Sequence, residues 1–303
     1  MGLFALKVEL MPEQPILLVT GASGYLGRHL TARAAESGPV YATYATRPDN
    51  ISAGAPTPLD ITNRQAVLQT ITRIAPQAII NCAVAGAGAD EQTTMQINAE
   101  GARYLAEGAV SVGARLVQVS TDSLYDGQQA PYDEQATPTP ISVYGRSKAA
   151  AERAVLGVDS TAVVARASLI YGLAEMDRGT QGFIERLEAG DPLILFRDVI
   201  RQPVWVETLV TALLKLAFEK TEVAGILHMA GKQAIDRERF GRLMLDWWQV
   251  PKRHLAQSGL GASLPHPPSL DLRLVTAKAE RLLDMAFPGV DEVLEAARLK
   301  RGE

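Results

Sequence analysis

Ile16-Leu-Leu-Val-Thr20 is an unbroken aliphatic and β-branched run, the pattern of a strand with both faces buried. A glycine-spaced segment at 21–27 comes next and opens a helical stretch to Glu36, closed by Ser37-Gly38-Pro39. Residues 40–44 read as a second strand. Asn63 is placed to cap a helix that reaches Ala75, where Pro76 stops it. Residues 78–81 and 116–120 are two more strands, and 94–112 between them has helical periodicity. Strands alternating with helices of ten or more residues mark βαβ units, so the fold class is α/β with a doubly wound parallel sheet. Such sheets bind ligands beyond the carboxyl ends of their strands, which draws attention to the residues just after Thr20, Tyr44, Asn81 and Ser120.

The second half is less regular. A helix is expected over 142–156, strands over 161–165 and 202–206, and a late strand over 225–229 that returns to the sheet. Residues 255–270, rich in Gly, Pro and Ser, read as a loop, and two short helices near 276–283 and 290–299 close the chain.

Composition narrows the function more than the fold. At 303 residues, 47% hydrophobic and 21% charged, the chain has core material for one large domain or two that share an interface. A net charge of −4 gives no global basic field and argues against a nucleic-acid partner, while leaving room for a local phosphate pocket. The single cysteine, Cys82, fits a reducing compartment and reads most simply as a small core residue at a strand end. His29, His228, His254 and His266 lack close ligand spacing, so no metal is expected. Residues 1–10 lack the basic region and long apolar core of a signal peptide. Met1-Gly2 begins like a myristoylation site, but Leu6 stands where Ser or Thr is required. With no apolar run long enough for a bilayer, the expectation is a soluble cytoplasmic protein without a membrane partner.

Thr20-Gly-Ala-Ser-Gly-Tyr-Leu-Gly27 carries the first chemistry. Glycines at 21, 24 and 27 permit a tight turn and close backbone approach to a pyrophosphate, which the adjoining helix N-terminus favours. The second strand ends Tyr44-Ala-Thr-Arg47, without the acid that would bind an NAD ribose and with an arginine suited to a 2′-phosphate. NADP is therefore expected, with NAD as the alternative. Asp60-Ile61 is placed to meet the adenine, or Asp60 to cap the next helix. Tyr144-Gly-Arg-Ser-Lys148 puts Tyr144 and Lys148 on one helix face. A neighbouring ammonium favours the phenolate, so the Tyr144 pKa is expected to fall, and such a phenol can exchange a proton with a carbonyl or alcohol oxygen. Ser120-Thr121 at another strand end could hydrogen-bond the same oxygen.

Together these features resemble the extended short-chain dehydrogenase/reductase superfamily, and within it the dTDP-4-dehydrorhamnose reductase family of sugar-nucleotide reductases. The likeness runs from about Ile16 to about Leu283. Besides the glycine turn and Tyr144-Gly-Arg-Ser-Lys148, it rests on Ile80-Asn-Cys-Ala83, Ile97-Asn98, Ser120-Thr-Asp122 and Asp126-Gly127. Arg166-Ala-Ser-Leu-Ile-Tyr-Gly172, Arg201-Gln-Pro-Val204, Leu227-His-Met-Ala-Gly231 and Ser269-Leu-Asp271 come after them in the family's order. The resemblance implies a Rossmann domain over 14–170 with 201–232 and a smaller substrate-binding domain over 171–200 with 233–303. It implies an NAD(P)H-dependent reductase of a keto group on a sugar nucleotide. Thr121 would bind the substrate carbonyl, Tyr144 would donate the proton, and Lys148 would hold the nicotinamide ribose and tune Tyr144. The cofactor would lie along Gly21, Ser23, Gly24, Tyr25, Leu26, Gly27, Arg47, Asp60, Ile61, Cys82, Ala83 and Val84, with Asn98 in support. Ser123, Tyr125, Phe183 and Arg201 would meet the substrate, and a homodimer is implied by analogy.

Three stretches depart from the family pattern. Ala85-Gly-Ala-Gly-Ala-Asp90 is short and glycine-rich, Ser123-Leu-Tyr125 replaces an aromatic, Val and Phe, and His266-Pro-Pro stands where Arg-Pro is common. Two other readings stay open. One is a non-catalytic NADP-binding regulatory subunit, as the methionine adenosyltransferase beta subunit is in the same family. The other is a sugar-nucleotide epimerase or dehydratase, although Ser123 cannot act as the dehydratase acid and no NAD-binding acid stands after Tyr44. Arg201 is open between a substrate diphosphate and a structural ion pair. Arg178, Gly179 and Phe183 fall in the expected substrate loop, and Trp247-Trp248 reads as packing.

Overall fold

A computed structural model describes residues 14–302. The expectation that residues 1–10 form neither a signal peptide nor a myristoylation site falls outside the described residues. β1 (Leu17–Thr20) is buried at every position, as a parallel strand covered on both faces must be. It is followed by α1 (Tyr25–Ala35), β2 (Val40–Tyr44), β3 (Ala55–Pro58), α2 (Arg64–Ile74) and β4 (Ala78–Asn81). The Asn63 side chain caps α2 by accepting from the Ala66 N–H. The helix expected at 94–112 starts earlier, at an Asp90 cap, and carries a defect. α3 (Glu91–Met95) and α4 (Gly101–Val112) are joined through one π-helical turn, Gln96–Glu100. β5 (Arg115–Thr121), α5 (Val143–Val158) and β6 (Val163–Ala167) come next.

The remaining elements are β7 (Ile170–Tyr171), α6 (Arg178–Glu188), β8 (Leu193–Phe196), β9 (Ile200–Arg201), β10 (Val204–Trp205) and α7 (Val206–Phe218). Then come β11 (Gly225–Met229), β12 (Ile235–Asp236), α8 (Arg237–Trp247), β13 (Ala256–Gly259), α9 (Ala277–Leu283) and α10 (Val290–Arg301). Seven strands form one sheet in the order β11-β6-β5-β4-β1-β2-β3, with every pairing parallel. The order reverses between β1 and β4, which opens the ligand-binding crevice of a doubly wound sheet at their carboxyl ends. One core lies against α1, α7 and α9, and another against α2, α4 and α5. Phe287, just after α9, is wholly buried in the first of these cores.

Two expectations for the second half need correction. Only Val204–Trp205 of the expected 202–206 strand is extended. It pairs with β7 outside the main sheet, and Val206 already belongs to α7. That helix presents eight buried positions, and its polar stripe is only Glu207, Thr211 and Lys215, too narrow to stand out from the apolar run around it. The expected loop at 255–270 contains β13, whose partner is β8. No helix among the described residues is long and apolar enough to cross a membrane.

Candidate active site between two cavities

The glycine turn is set by sterics. Gly21 has φ +68, and a Cβ there would lie 2.6 Å from the Ala83 nitrogen. A Cβ on Gly27 would collide with the Gly21 carbonyl. Glycine at 21 therefore lets the turn pass directly beside the chain leaving β4, and glycine at 27 lets α1 pack down on the turn itself. Beneath the turn, buried side chains at the strand ends form a chain of hydrogen bonds. Thr20 Oγ1 donates to Asn81 Oδ1 at 2.6 Å, and Asn81 Nδ2 donates to Gln118 Oε1 at 2.8 Å. Asn81 Oδ1 also accepts from the Ala83 N–H at 3.0 Å, which fixes the start of the loop after β4.

A cavity of about 320 Å³ opens over this platform. Gly21, Ser23 and Gly24 line it from the turn, and Arg47 lines it from the end of β2. Asp60 and Ile61 contribute from beyond β3, and Cys82, Ala83 and Val84 from beyond β4. Nine expected cofactor positions thus share one cleft, whose glycine cradle suits a dinucleotide pyrophosphate and whose arginine, with no acid at the β2 end, suits a 2′-phosphate. Four others stand back from it. Leu26 and Gly27 are buried in α1, and Tyr25 donates to the Glu175 carbonyl at 3.2 Å. Asn98 accepts from the Ala85 N–H at 2.8 Å and donates to Ser147 Oγ at 2.8 Å, so it positions the glycine-rich loop against α5. Asp60 both faces the cleft and holds its own turn, accepting from the Thr62 N–H and hydroxyl at 2.9 and 2.8 Å. Burial pushes the Cys82 thiol up to about 12, against the pull of Lys148, which leaves it a poor nucleophile.

A second cavity, about 670 Å³, lies on the other side of the β5 end. Thr121, Ser123, Phe183 and Arg201, each expected near the substrate, share its lining with Arg186 and Arg237, which sequence reasoning missed. Both belong to helices that the hydrophobic pattern did not announce. Arg201 combines its two readings. Its Nε is 3.9 Å from Asp122 Oδ2, its Nη1 donates to the Ile200 and Ser269 carbonyls at 3.3 Å, and it still faces the cavity. Arg237 has no side-chain ion pair or hydrogen bond among the described residues; its guanidinium lies over the Phe183 ring, 5.6 Å from the centroid. Tyr125 must be struck from the substrate contacts. It is fully buried, stacked on Tyr132 at 4.0 Å, and its hydroxyl accepts from Arg166 at 2.5 Å.

Ser142 caps α5 by accepting from the Gly145 N–H at 3.0 Å, and this entry sets the direction of Tyr144 and Lys148. Lys148 is buried and its Nζ donates to the Val119 carbonyl at 2.6 Å. Desolvation lowers its pKa to about 8, while Glu152 and Cys82 favour the ammonium. Tyr144 is 40% exposed as a residue, yet desolvation dominates the setting of its hydroxyl. Its pKa is pushed up to about 12, first by that desolvation, eased by the Thr121 hydroxyl and raised again by Asp122. The fall expected from Lys148 is absent because that ammonium turns toward Val119 and Glu152. The expected dual role of Ser120-Thr121 also divides. Thr121 faces the second cavity, whereas Ser120 Oγ donates to Glu152 at 2.5 Å and is buried. Through Thr121 the tyrosine reaches the second cavity, and through Cys82 the lysine adjoins the first.

Glu152, one turn beyond Lys148, anchors this arrangement. It accepts from Arg166 Nε at 3.0 and 3.1 Å and from Nη2 at 2.6 Å, and both side chains are nearly inaccessible. The signal was present in the sequence as an acid four residues after Lys148, but an acid on a helix face says nothing by itself about a buried partner.

A parallel doubly wound sheet, a glycine cradle at its switch point and a Tyr-Lys pair between two cavities define an extended short-chain dehydrogenase/reductase fold. Residues 15–285 match the family described as the RmlD substrate binding domain, and the chain belongs to it. Over 228 residues it is 36% identical to the dTDP-4-dehydrorhamnose reductase of Streptomyces griseus, covering 71% of this chain and 70% of that protein. It is 28% identical over 281 residues to methionine adenosyltransferase 2 subunit beta of Xenopus laevis, covering 84% and 79%. The crystal structure of dTDP-4-dehydrorhamnose reductase from Bacillus anthracis in complex with NADP superposes with a TM-score of 0.78 at 25% identity, covering 95% of this chain and 99% of that one.

Proposed function

We propose that the protein is an NAD(P)H-dependent reductase of a keto group on a sugar nucleotide, of the dTDP-4-dehydrorhamnose reductase kind. The observation that carries this reading is the position of Tyr144 and Lys148 between a glycine-cradled cleft at the sheet's switch point and a larger cavity edged with arginines. The dinucleotide supplies the reducing equivalent when bound. Thr121 and Tyr144 hold the substrate carbonyl oxygen, and Tyr144 delivers the proton to it. Lys148, ionised below about pH 8, holds the ribose. Arg201 and Arg237 face the substrate diphosphate, with guanidinium forks suited to phosphate. Residues 14–170 with 201–232 form the cofactor-binding part, and 171–200 with 233–303 shape the substrate cavity. A homodimer is inferred by family analogy, and Cys82 as a lone thiol suits the reducing cytoplasm.

The test is a panel of keto-sugar nucleotides monitored at the NADPH absorbance. Substrate-dependent oxidation is the expected result. Tight NADPH binding without oxidation of any member would move the protein to a regulatory role, the reading favoured by its likeness to the methionine adenosyltransferase subunit.

Arg47 gives a separate prediction about the cofactor. Arg47→Ala weakens NADPH binding by about tenfold to a hundredfold, the worth of a hydrogen-bonded charge, and leaves NADH unchanged. Fluorescence titration with both nucleotides measures it. Equal affinities for NADPH in variant and parent would mean that Arg47 is merely solvated.

A further inference from the structure

Helix α6 sends side chains into both cavities. Arg178, its first residue, lines the dinucleotide cleft, whereas Phe183 and Arg186 line the substrate cavity. At 3.6 residues per turn these three positions fall within about 140° of one another. The buried Thr180 and Leu187 occupy the remaining side. Asp177 fixes where this helix begins. Its Oδ1 accepts from the N–H groups of Gly179 and Thr180 at 2.8 and 3.0 Å, and Thr180 Oγ1 donates to its Oδ2 at 2.6 Å.

The segment leading into α6 is tied to the glycine turn and not to the β2 end. Tyr25, the residue after Gly24, donates to the Glu175 carbonyl at 3.2 Å, and Glu175 pairs with Arg28 of α1. Gly172 packs directly on the Tyr25 hydroxyl, at a place where a Cβ would collide with it. Arg178 stands three residues beyond Glu175, directly after the Asp177 cap. Among the described residues its guanidinium forms no ion pair and no hydrogen bond, and Asp177, the acid beside it, is committed to the cap. An unpaired arginine thus lines the same cleft as Gly21, Ser23 and Gly24 of the glycine turn.

We propose that Arg178 clamps the cofactor's pyrophosphate from the side opposite the glycine turn. The inference rests on the first cavity being the dinucleotide cleft. It assigns Arg178 to the phosphate bridge shared by NADPH and NADH, and leaves the 2′-phosphate to Arg47. The cofactor's pyrophosphate thereby becomes a contact for the helix that also walls the substrate cavity.

Direct binding tests it without turnover. NADPH, NADH, ADP and 2′-AMP are titrated against the full chain and its Arg178→Ala variant, with fluorescence for the reduced dinucleotides and calorimetry for the others. The clamp predicts that NADPH, NADH and ADP weaken by a common factor of about ten or more, while 2′-AMP is unchanged. Loss confined to NADPH and 2′-AMP would place Arg178 on the 2′-phosphate and overturn the assignment. Unchanged affinities throughout would overturn it as well, with the cleft reading intact. A parent protein that binds neither dinucleotide would bring down both. Because Arg178 is exposed and the Asp177 cap is retained, the variant is expected to melt with the parent.

Discussion

Tyr144→Phe lowers turnover by about 10²–10⁴-fold, the usual contribution of a positioned proton donor, with NADPH affinity little changed. With a pKa pushed up to about 12, the phenol remains protonated across the neutral range and enters the reductive direction as an acid. Removing its hydroxyl takes the proton away from the carbonyl oxygen but leaves Thr121 as a hydrogen-bond partner. The loss should therefore fall on kcat more than on KM. Steady-state rates with any substrate found active in the panel, together with a cofactor titration, separate these terms. A variant that turns over within tenfold of the parent would end the proton-donor assignment.

Glu152→Ala is expected to cost about 3–5 kcal/mol of stability, the effect of stranding a buried charge. Arg166 has its guanidinium on Glu152 and the Tyr125 hydroxyl and is 1% exposed, so removing the carboxylate leaves its charge buried without its main partner. His228 cannot compensate. Burial, with the nearby Arg166 charge as a second cause, lowers its pKa to about 4 and keeps it neutral. Urea denaturation of the variant reads the loss, and a double replacement, Glu152→Leu with Arg166→Met, should recover much of it by removing both charges. A single-variant cost below about 1 kcal/mol would show that water or a rearranged partner already satisfies Arg166. The same carboxylate supports the Lys148 ammonium, so the double replacement should lower the lysine's pKa further even where stability returns.

Much of the fold was legible because parallel strands and their glycine turn write themselves locally. The 16–20 run, the turn to Gly27 and the Asn63 cap each contain their own physical reason. The cofactor cleft was legible for the same cause, since its lining comes from residues immediately after strands. The substrate cavity was less so. β8 and β13 pair across some sixty residues, and nothing local to Leu193–Phe196 or Ala256–Gly259 announces the partner. Arg178, Arg186 and Arg237 ride on helices α6 and α8, so their cavities emerge only once those helices are placed. Tyr125 failed as a substrate contact for a subtler reason. It leaves the short 3₁₀ turn at Asp122–Leu124, where adjacent side chains diverge, so Ser123 faces the cavity and Tyr125 enters the core. The depressed pKa expected for Tyr144 failed because spacing gives the distance between two residues on a helix but not the acceptor that the ammonium selects.

The π turn at Gln96–Glu100 bears on which lengths of chain this fold can accept. A π turn holds one residue more than the α-helix would need over the same span, and here the surplus coincides with Asn98 and its bonds to Ala85 and Ser147. A lineage that lost one residue in this stretch would recover a regular helix while rotating Asn98 off both partners. Insertions and deletions should therefore be rarer here than the exposed face of α3 and α4 suggests, while substitutions on that face accumulate freely.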